Sequence, residues 1–123
     1  VFVPLRFQPQ ARMADRQAPG DDEALRVFAA SRLLLDNVPH VKAFSVMHGS
    51  ELSQQALDYG ADDLEGTIAD YQITTDLTGA AECGAPAADV IRAEFAALIG
   101  AAGRTPVERD TAYNARAVLT EAA

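Results

Sequence analysis

The fold is decided by residues 40–67, HVKAFSVMHGSELSQQALDYGADDLEGT. The segment opens with the apolar run His40–Met47, which is short enough to be a buried strand. Ser50 can cap a following helix that ends at Gly60, and the composition of Ala61–Thr67 predicts a second short strand. Because parallel strands need a crossover between them, usually a helix, this order predicts a parallel α/β sheet.

The same alternation extends to both sides of this segment. Upstream, Val1–Phe7 has the β-branched and aromatic composition of another short strand, which Pro4 makes irregular. Acidic residues in a first helical turn, followed by apolar residues at helical spacing, predict a helix over residues 22–36. Apolar residues at the same spacing predict a late helix over about residues 89–102. The predicted fold class is therefore α/β, with about three strand–helix units, a C-terminal helix and a tail.

Composition excludes several classes of protein. Of the 123 residues, 18 are acidic and 10 are basic, so the net charge of −8 argues against a nucleic-acid partner. A single cysteine, Cys83, cannot form an internal disulfide, a four-cysteine zinc site or a self-contained iron–sulfur cluster. No apolar run approaches the roughly 20 residues that span a bilayer. We expect a cytoplasmic protein with no membrane partner.

Ligands of parallel α/β folds gather at the carboxyl ends of the strands, so polar residues at these ends are the first candidates for a binding site. They are Arg6, Gln8, His48, Asp63, Glu65 and Thr67. Arg6 suits a substrate carboxylate because its guanidinium donates two parallel hydrogen bonds. His48 suits acid–base chemistry or a polar substrate.

Each candidate has a structural alternative that the sequence leaves open. Arg6 could instead form an ion pair with a neighbouring acidic loop, and His48 could be a structural hydrogen-bonding group. Arg32 lies in the middle of a predicted helix, where snorkelling of its side chain or pairing is favoured over ligand binding. The cluster formed by Asp62, Asp63 and Glu65 could order substrate hydroxyl or ammonium groups, or form a solvated turn with one inward carboxylate.

Four stretches in register resemble one enzyme family. They are FVPLRFQP (residues 2–9), SRLLLDNVPH (31–40), GADDLEGT (60–67) and AGRTPVERDTAYN (102–114). Together they are similar to the C-terminal part of aminodeoxyfutalosine synthases, radical S-adenosylmethionine enzymes of the futalosine route to menaquinone. Dehypoxanthine futalosine cyclases and the synthases of the deazaflavin cofactor share much of the pattern, but the last stretch is most like the aminodeoxyfutalosine branch.

The resemblance implies a (β/α)8 TIM-type barrel. Residues 1–114 would supply its last three strand–helix steps and residues 115–123 a flexible tail. A full barrel takes about 250 residues, so we expect this chain to be a fragment of a longer polypeptide. The start at Val1, inside a predicted strand, agrees with that expectation.

The family reaction implies cofactors that this chain cannot bind alone. By resemblance, the 5′-deoxyadenosyl radical adds to an enolpyruvyl ether of 3-hydroxybenzoate, and rearrangement with loss of CO2 gives aminodeoxyfutalosine. S-adenosylmethionine and a 4Fe–4S cluster serve the full-length enzyme, and the family's CxxxCxxC motif for the cluster is absent here. We therefore expect the chain to be inactive without the N-terminal half of the barrel.

The resemblance also implies roles for the candidate residues. Arg6 and Gln8 would hold polar groups of the small-molecule substrate, and His48 would line the mouth of the barrel. Asp63, Glu65 and Thr67 would contact substrate or nucleoside at the last strand. Three positions depart from the family pattern: Gln8 replaces a frequent histidine, His48 is unusual, and Asp70-Tyr71 replaces a typical Glu-Glu pair.

A rival hypothesis is a stand-alone, non-catalytic α/β module that binds a partner through its open sheet. Three parallel strands leave unpaired edges, which favour association, including formation of homo-oligomers. A light-scattering mass separates the two hypotheses, since a well-behaved monomer fits a self-sufficient module and dimers or aggregates fit part of a barrel.

Overall fold

The structure, a computed structural model, describes residues 1–9, 15–65 and 88–119. Its elements in chain order are α1 (Asp21–Leu34), β1 (Lys42–Phe44), α2 (Ser45–His48), α3 (Ser50–Ala56), β2 (Asp63–Glu65), α4 (Ala88–Ala101), β3 (Val107–Arg109) and β4 (Ala115–Val118). Within this part of the chain, no helix is long and apolar enough to cross a membrane. Thr67, Asp70-Tyr71 and Cys83 lie outside the described residues.

Three passes of the chain run parallel, as the sequence predicted. β1 and β2 pair in register, with Lys42 opposite Asp63. Phe2 forms a parallel bridge with Val41, through hydrogen bonds of 2.8 Å from the Phe2 N–H to the carbonyl of His40 and from the Lys42 N–H to the carbonyl of Phe2. Helices intervene between successive passes, so the α/β prediction is confirmed.

The hydrophobic core lies between the sheet and helices α1 and α3. It is centred on Phe28 and Val41, both fully buried, and includes Ala43 from β1 and Leu52 from α3. Side chains alternate between the two faces of a strand. Lys42, which lies between Val41 and Ala43, therefore points to the opposite face of the sheet. That opposite surface carries charged groups, and we call it the charged face, defined by Lys42, Asp63 and Glu65.

The first and last predicted helices are confirmed to within two residues at each end. The helix predicted to be capped by Ser50 and to end at Gly60 instead has Gly49 as its N-cap and ends at Ala56. α1 begins with the acidic residues Asp21–Glu23, which suit the positive end of the helix dipole. It ends after Leu34, and the Leu35 N–H donates to the carbonyl of Ser31 at 2.9 Å. α4 occupies residues 88–101, close to the range predicted from its apolar spacing.

The strands are shorter than the sequence predicted. The first is limited to the bridge at Phe2, and Pro4, which follows, has no N–H to donate to a ladder. The second ends at Phe44, because the chain then turns into α2. The Ser45 hydroxyl donates to the carbonyl of Glu65 at 2.8 Å, so a side chain joins the two strand ends where the ladder stops.

The C-terminal segment differs from its prediction as a flexible tail from residue 115. β4 pairs antiparallel with β3 to form a hairpin, with Val107 opposite Val118. The Asp110 carboxylate accepts the backbone N–H groups of Ala112 and Asn114 at 2.8 and 3.0 Å, which holds the turn. All four residues of β4 are exposed, so the strand has no buried apolar face that the sequence could show.

Candidate functional site

Lys42 lies at the centre of the charged face. It is the only lysine in the chain, and its side chain is 12% exposed. Its ammonium group donates to Oε2 of Glu65 and lies 3.7 Å from Oδ2 of Asp63. Lysine is almost never buried to this extent unless it is paired, so the two carboxylates account for its position.

Asp63 anchors the C-terminal hairpin. Arg109 donates to both of its carboxylate oxygens, from Nε at 2.9 Å and from a terminal nitrogen at 2.5 Å. The Tyr113 hydroxyl donates to the same carboxylate at 2.8 Å. The bonds to Asp63 raise the pKa of Arg109, and burial together with the bond to Asp63 raises the pKa of Tyr113. Asp63 is thus buried but surrounded by donors.

A stack of side chains continues from Asp63 to the amino ends of β1 and β2. The Arg109 guanidinium lies 4.0 Å from the centre of the Tyr113 ring, and that ring stacks on His40 at 3.9 Å. Nδ1 of His40 lies 2.6 Å from the Asp62 carboxylate. In a parallel α/β fold, contacts at this end of the strands serve stability, whereas ligands bind at the opposite end.

Asp62 joins the stack to α1. Burial alone would raise the pKa of Asp62, but hydrogen bonds from His40, from the Val41 N–H and from Arg32 outweigh burial and lower it. Arg32 donates to Asp62 at 2.5 Å and to the carbonyl of Gly60 at 2.8 Å. Arg32 therefore pairs with protein groups, as the sequence favoured.

Glu65 is the acidic residue at the carboxyl end of β2. Its side chain is 37% exposed, in contrast to the buried Asp63. Lys42 pairs with one carboxylate oxygen, and the Ser45 hydroxyl fixes the backbone of the same residue. A carboxylate held in place and partly open to solvent can accept hydrogen bonds from hydroxyl or ammonium groups.

Arg6 and Gln8 both bond to neighbouring backbone. Arg6 donates to the carbonyl of Pro19 at 2.7 and 3.1 Å and pairs with Asp21 at 2.8 Å, at the start of α1. This is the structural alternative that the sequence left open for Arg6. The Gln8 amide donates to the carbonyl of Met47 at 3.2 Å. A role in substrate binding stays a prediction for both residues.

His48 is buried at the end of α2. Its Nε2 lies 2.9 Å from the carbonyl of Pro4, and its ring meets the ring of Phe28 edge-on at 5.3 Å. A carbonyl only accepts, so Nε2 carries the proton, and the buried Nδ1 has no hydrogen-bond partner among the described residues. Burial lowers the pKa of His48, the bond to Pro4 raises it by less, and the positive charge of Arg6 adds a smaller lowering effect.

We expect the protein to lose stability as the pH falls below about 6.5, the ordinary pKa of histidine. The lowered pKa means that the unfolded chain binds the His48 proton more readily, so stability rises with pH across this window and is lost in the acid direction. The urea midpoint of His48→Gln should fall less between pH 7 and pH 5 than that of the unaltered chain. His40→Gln is the control, because it leaves His48 in place. An equal fall in the unaltered chain and in His48→Gln would contradict the assignment.

The predicted site residues form two separate groups. One group connects residues 1–9 to α1 and α2 through hydrogen bonds, and it consists of Arg6, Gln8 and His48. The other group lies on the charged face and consists of Asp63 and Glu65. Sequence reasoning missed Lys42, Arg109 and Tyr113. A single lysine inside an otherwise apolar predicted strand was the one sign in the sequence that Lys42 belongs to a site. The neighbouring sequence does not show which residues pair with it.

A cavity of about 750 Å³ is lined by β2, α4 and the C-terminal segment, and no residue of β1 lines it. Its lining combines apolar residues with charged ones from β2, α4 and the C-terminal segment. The apolar ones include Leu57, Leu64, Phe95, Ile99, Val107 and Leu119, and the charged ones include Asp63, Glu65, Arg92 and Arg109. In the described ranges, β2 pairs with β1 on one side only. The cavity is therefore lined by a strand that has one pairing partner among the described residues.

The residues present do not fit an iron–sulfur cluster. Across residues 1–9, 15–65 and 88–119, no group of three histidine, cysteine or acidic side chains could hold a metal ion. The whole chain has one cysteine. Three cysteine ligands would have to come from another part of a longer protein.

Comparison with known proteins gives consistent matches along the chain. The family model described as the CofH/MqnC C-terminal region matches residues 1–122. Aminodeoxyfutalosine synthase of Streptomyces coelicolor is 44% identical over 124 residues, which cover 92% of this chain and 31% of that protein. The 5-amino-6-(D-ribitylamino)uracil–L-tyrosine 4-hydroxyphenyl transferase of Haloarcula marismortui is 40% identical over 126 residues, covering 96% of this chain and 26% of that protein.

A second enzyme of Streptomyces coelicolor is also similar. Its cyclic dehypoxanthine futalosine synthase is 32% identical over 114 residues, covering 92% of this chain and 27% of that protein. The chain spans less than a third of the length of each of these relatives. The similarity therefore concerns one region of larger enzymes.

Proposed function

The chain belongs to the CofH/MqnC C-terminal region family, and we propose that it is the C-terminal part of a radical S-adenosylmethionine enzyme with aminodeoxyfutalosine synthase activity. The observation that carries the proposal is the 44% identity to the Streptomyces coelicolor synthase over 92% of this chain. The proposed reaction joins a 5′-deoxyadenosyl group to an enolpyruvyl ether of 3-hydroxybenzoate. We place the enzyme in the cytoplasm.

The proposed partner of this chain is the N-terminal half of the same enzyme, which would hold the 4Fe–4S cluster and S-adenosylmethionine. A TIM-type barrel places another strand beside the last one; among the described residues β2 pairs on one side only, and it lines a cavity of mixed apolar and charged residues. The single pairing of β2 and the cavity together support docking of this half. The chain alone would then be inactive.

The role proposed for this chain in substrate binding centres on Glu65. It lies at the carboxyl end of β2, where ligands of parallel α/β folds bind, and it is the partly exposed acid of the charged face. Its carboxylate would accept hydrogen bonds from hydroxyl groups of the substrate or nucleoside. Gln8, His48 and Thr67 remain further candidates, and so do Arg6 and Asp63, which already bond to protein groups.

We expect Glu65→Gln in the full-length enzyme to weaken substrate affinity by roughly 10- to 100-fold, the value of a lost hydrogen bond to a charged group. Asp58→Asn is the matched control, since Asp58 is an exposed acid that pairs with Arg104 at 3.4 Å. Steady-state kinetics and a thermal unfolding curve would be measured for both variants. Unchanged affinity and turnover in Glu65→Gln would remove Glu65 from the site.

The transferase activity of the Haloarcula relative is a second candidate, because that protein is nearly as similar to this chain, at 40% identity. A product assay with the full-length enzyme separates the two. Turnover of the 3-hydroxybenzoate ether supports the synthase, and turnover of tyrosine with the ribityl-aminouracil supports the transferase. Turnover of the second pair alone would overturn the proposal.

A further inference from the structure

Four charged side chains alternate in sign across the charged face. They begin with Arg109 on the C-terminal hairpin, continue through Asp63 and Lys42, and end at Glu65 at the carboxyl end of β2. Neighbouring members contact or approach one another, and their charges sum to zero. The row therefore connects the hairpin, at the amino ends of the strands, to the proposed substrate-binding acid at their carboxyl ends.

The distances indicate how Lys42 is shared between the two acids. Asp63 already accepts two hydrogen bonds from Arg109 and one from the Tyr113 hydroxyl. Lys42 stands 3.7 Å from Asp63, beyond normal hydrogen-bond length, and donates directly to Glu65. Lys42 is thus bonded to the acid that accepts no hydrogen bond from any other charged side chain among the described residues, although Glu65 and Arg109 also attract each other electrostatically.

We propose that Arg109 is a positioning residue for Glu65: by satisfying Asp63, it leaves the ammonium group of Lys42 bonded to Glu65. The inference rests on the proposed role of Glu65 in binding substrate. Without Arg109, Asp63 would be a buried carboxylate with no full counter-charge, a state that proteins avoid. Lys42 is close enough to turn to Asp63, and Glu65 would then lose its charged partner.

Because Lys42 is the only lysine, its ammonium group can be observed without ambiguity. In the 123-residue chain labelled with 15N-lysine and 13C, NMR couplings through the hydrogen bond identify the carboxylate that Lys42 contacts. We expect coupling to Glu65 in the unaltered chain and coupling to Asp63 in Arg109→Gln. Arg92→Gln is the matched control, since Arg92 pairs with Asp89 and Glu108 away from Lys42, and its spectrum should keep the coupling to Glu65.

A double variant separates positioning from a general loss of structure. Asp63→Asn removes the charge that would attract Lys42, so Arg109→Gln combined with Asp63→Asn should return Lys42 to Glu65. In the full-length enzyme, Arg109→Gln should weaken substrate affinity about tenfold, as expected for a misplaced charged hydrogen-bonding group, and the double variant should recover most of it. The affinity measurement in the full-length enzyme tests the positioning role of Arg109 even if Arg109→Gln does not fold as the isolated chain.

The outcomes distinguish this inference from the proposed function. Coupling of Lys42 to Glu65 that persists in folded Arg109→Gln would overturn the positioning role and leave the substrate role of Glu65 intact. A double variant of the full-length enzyme that recovers no affinity would also overturn the positioning role. If Glu65→Gln binds substrate normally, the substrate role fails, and the NMR couplings still report whether Arg109 directs Lys42.

Discussion

Replacing Asp63 with alanine is expected to lower the free energy of unfolding by about 3–5 kcal/mol, the typical result of removing one partner of a buried ion pair. The carboxylate is 8% exposed and accepts hydrogen bonds from Arg109 and Tyr113. Without this carboxylate, the Arg109 guanidinium and the Tyr113 hydroxyl lose their acceptor. Lys42 also loses one of its two acidic neighbours. Urea denaturation followed by circular dichroism measures the change.

Asp58→Ala is the control for this prediction. Asp58 is 67% exposed and lies 3.4 Å from Arg104, which is itself 57% exposed. An exposed pair of this kind contributes about 0–1 kcal/mol, so the midpoint should move little. If Asp63→Ala were no more harmful than Asp58→Ala, the hairpin would not depend on Asp63 for its attachment to the sheet.

Phe28→Ala is expected to cost about 3–5 kcal/mol, because the substitution leaves a cavity at the centre of the core. Phe28 belongs to α1 and is fully buried in the core with Val41 and Ala43, and its ring contacts His48. The free energy of unfolding of most domains is only about 5–15 kcal/mol, so the substitution would remove a large part of it. The loss is measured as a lower urea midpoint at constant slope.

Leu33→Ala is the matched control on the same helix. Leu33 is 81% exposed, and surface substitutions of this kind usually stay within about 0.5 kcal/mol. A similar cost for Phe28→Ala and Leu33→Ala would mean that α1 does not pack on the sheet through the face described above. A changed slope in Phe28→Ala would point instead to a loss of cooperative unfolding.

The order of helices and parallel strands was predictable because it depends on local periodicity. The apolar spacing in α1 and the short apolar run before Ser45 are both visible in the sequence. The hairpin was not predictable in this way, because all four residues of β4 are exposed and its partner strand has three residues. Its Asp110 and Asn114 are typical turn residues, but they do not show which strands they connect.

The chemistry of the site was less predictable than the fold, because it depends on partners distant in sequence. Asp63 and Glu65 were selected from their position near a strand end, but the difference between them comes from Arg109 and from burial. Lys42 occupies a position where its apolar neighbours suggest a core strand. Only the register of β1 against β2 places it between the two acids.

The parallel arrangement of the sheet has a consequence for folding kinetics. Phe2 and Val41 are separated in sequence by the whole of α1, and Lys42 and Asp63 are separated by α2 and α3. Each contact therefore closes a long loop. The β3–β4 hairpin, in contrast, joins residues that are close in sequence. Since closing long loops slows folding, we expect the hairpin to form early and the sheet to assemble in the rate-limiting step, with its strand edges exposed to other chains in the meantime.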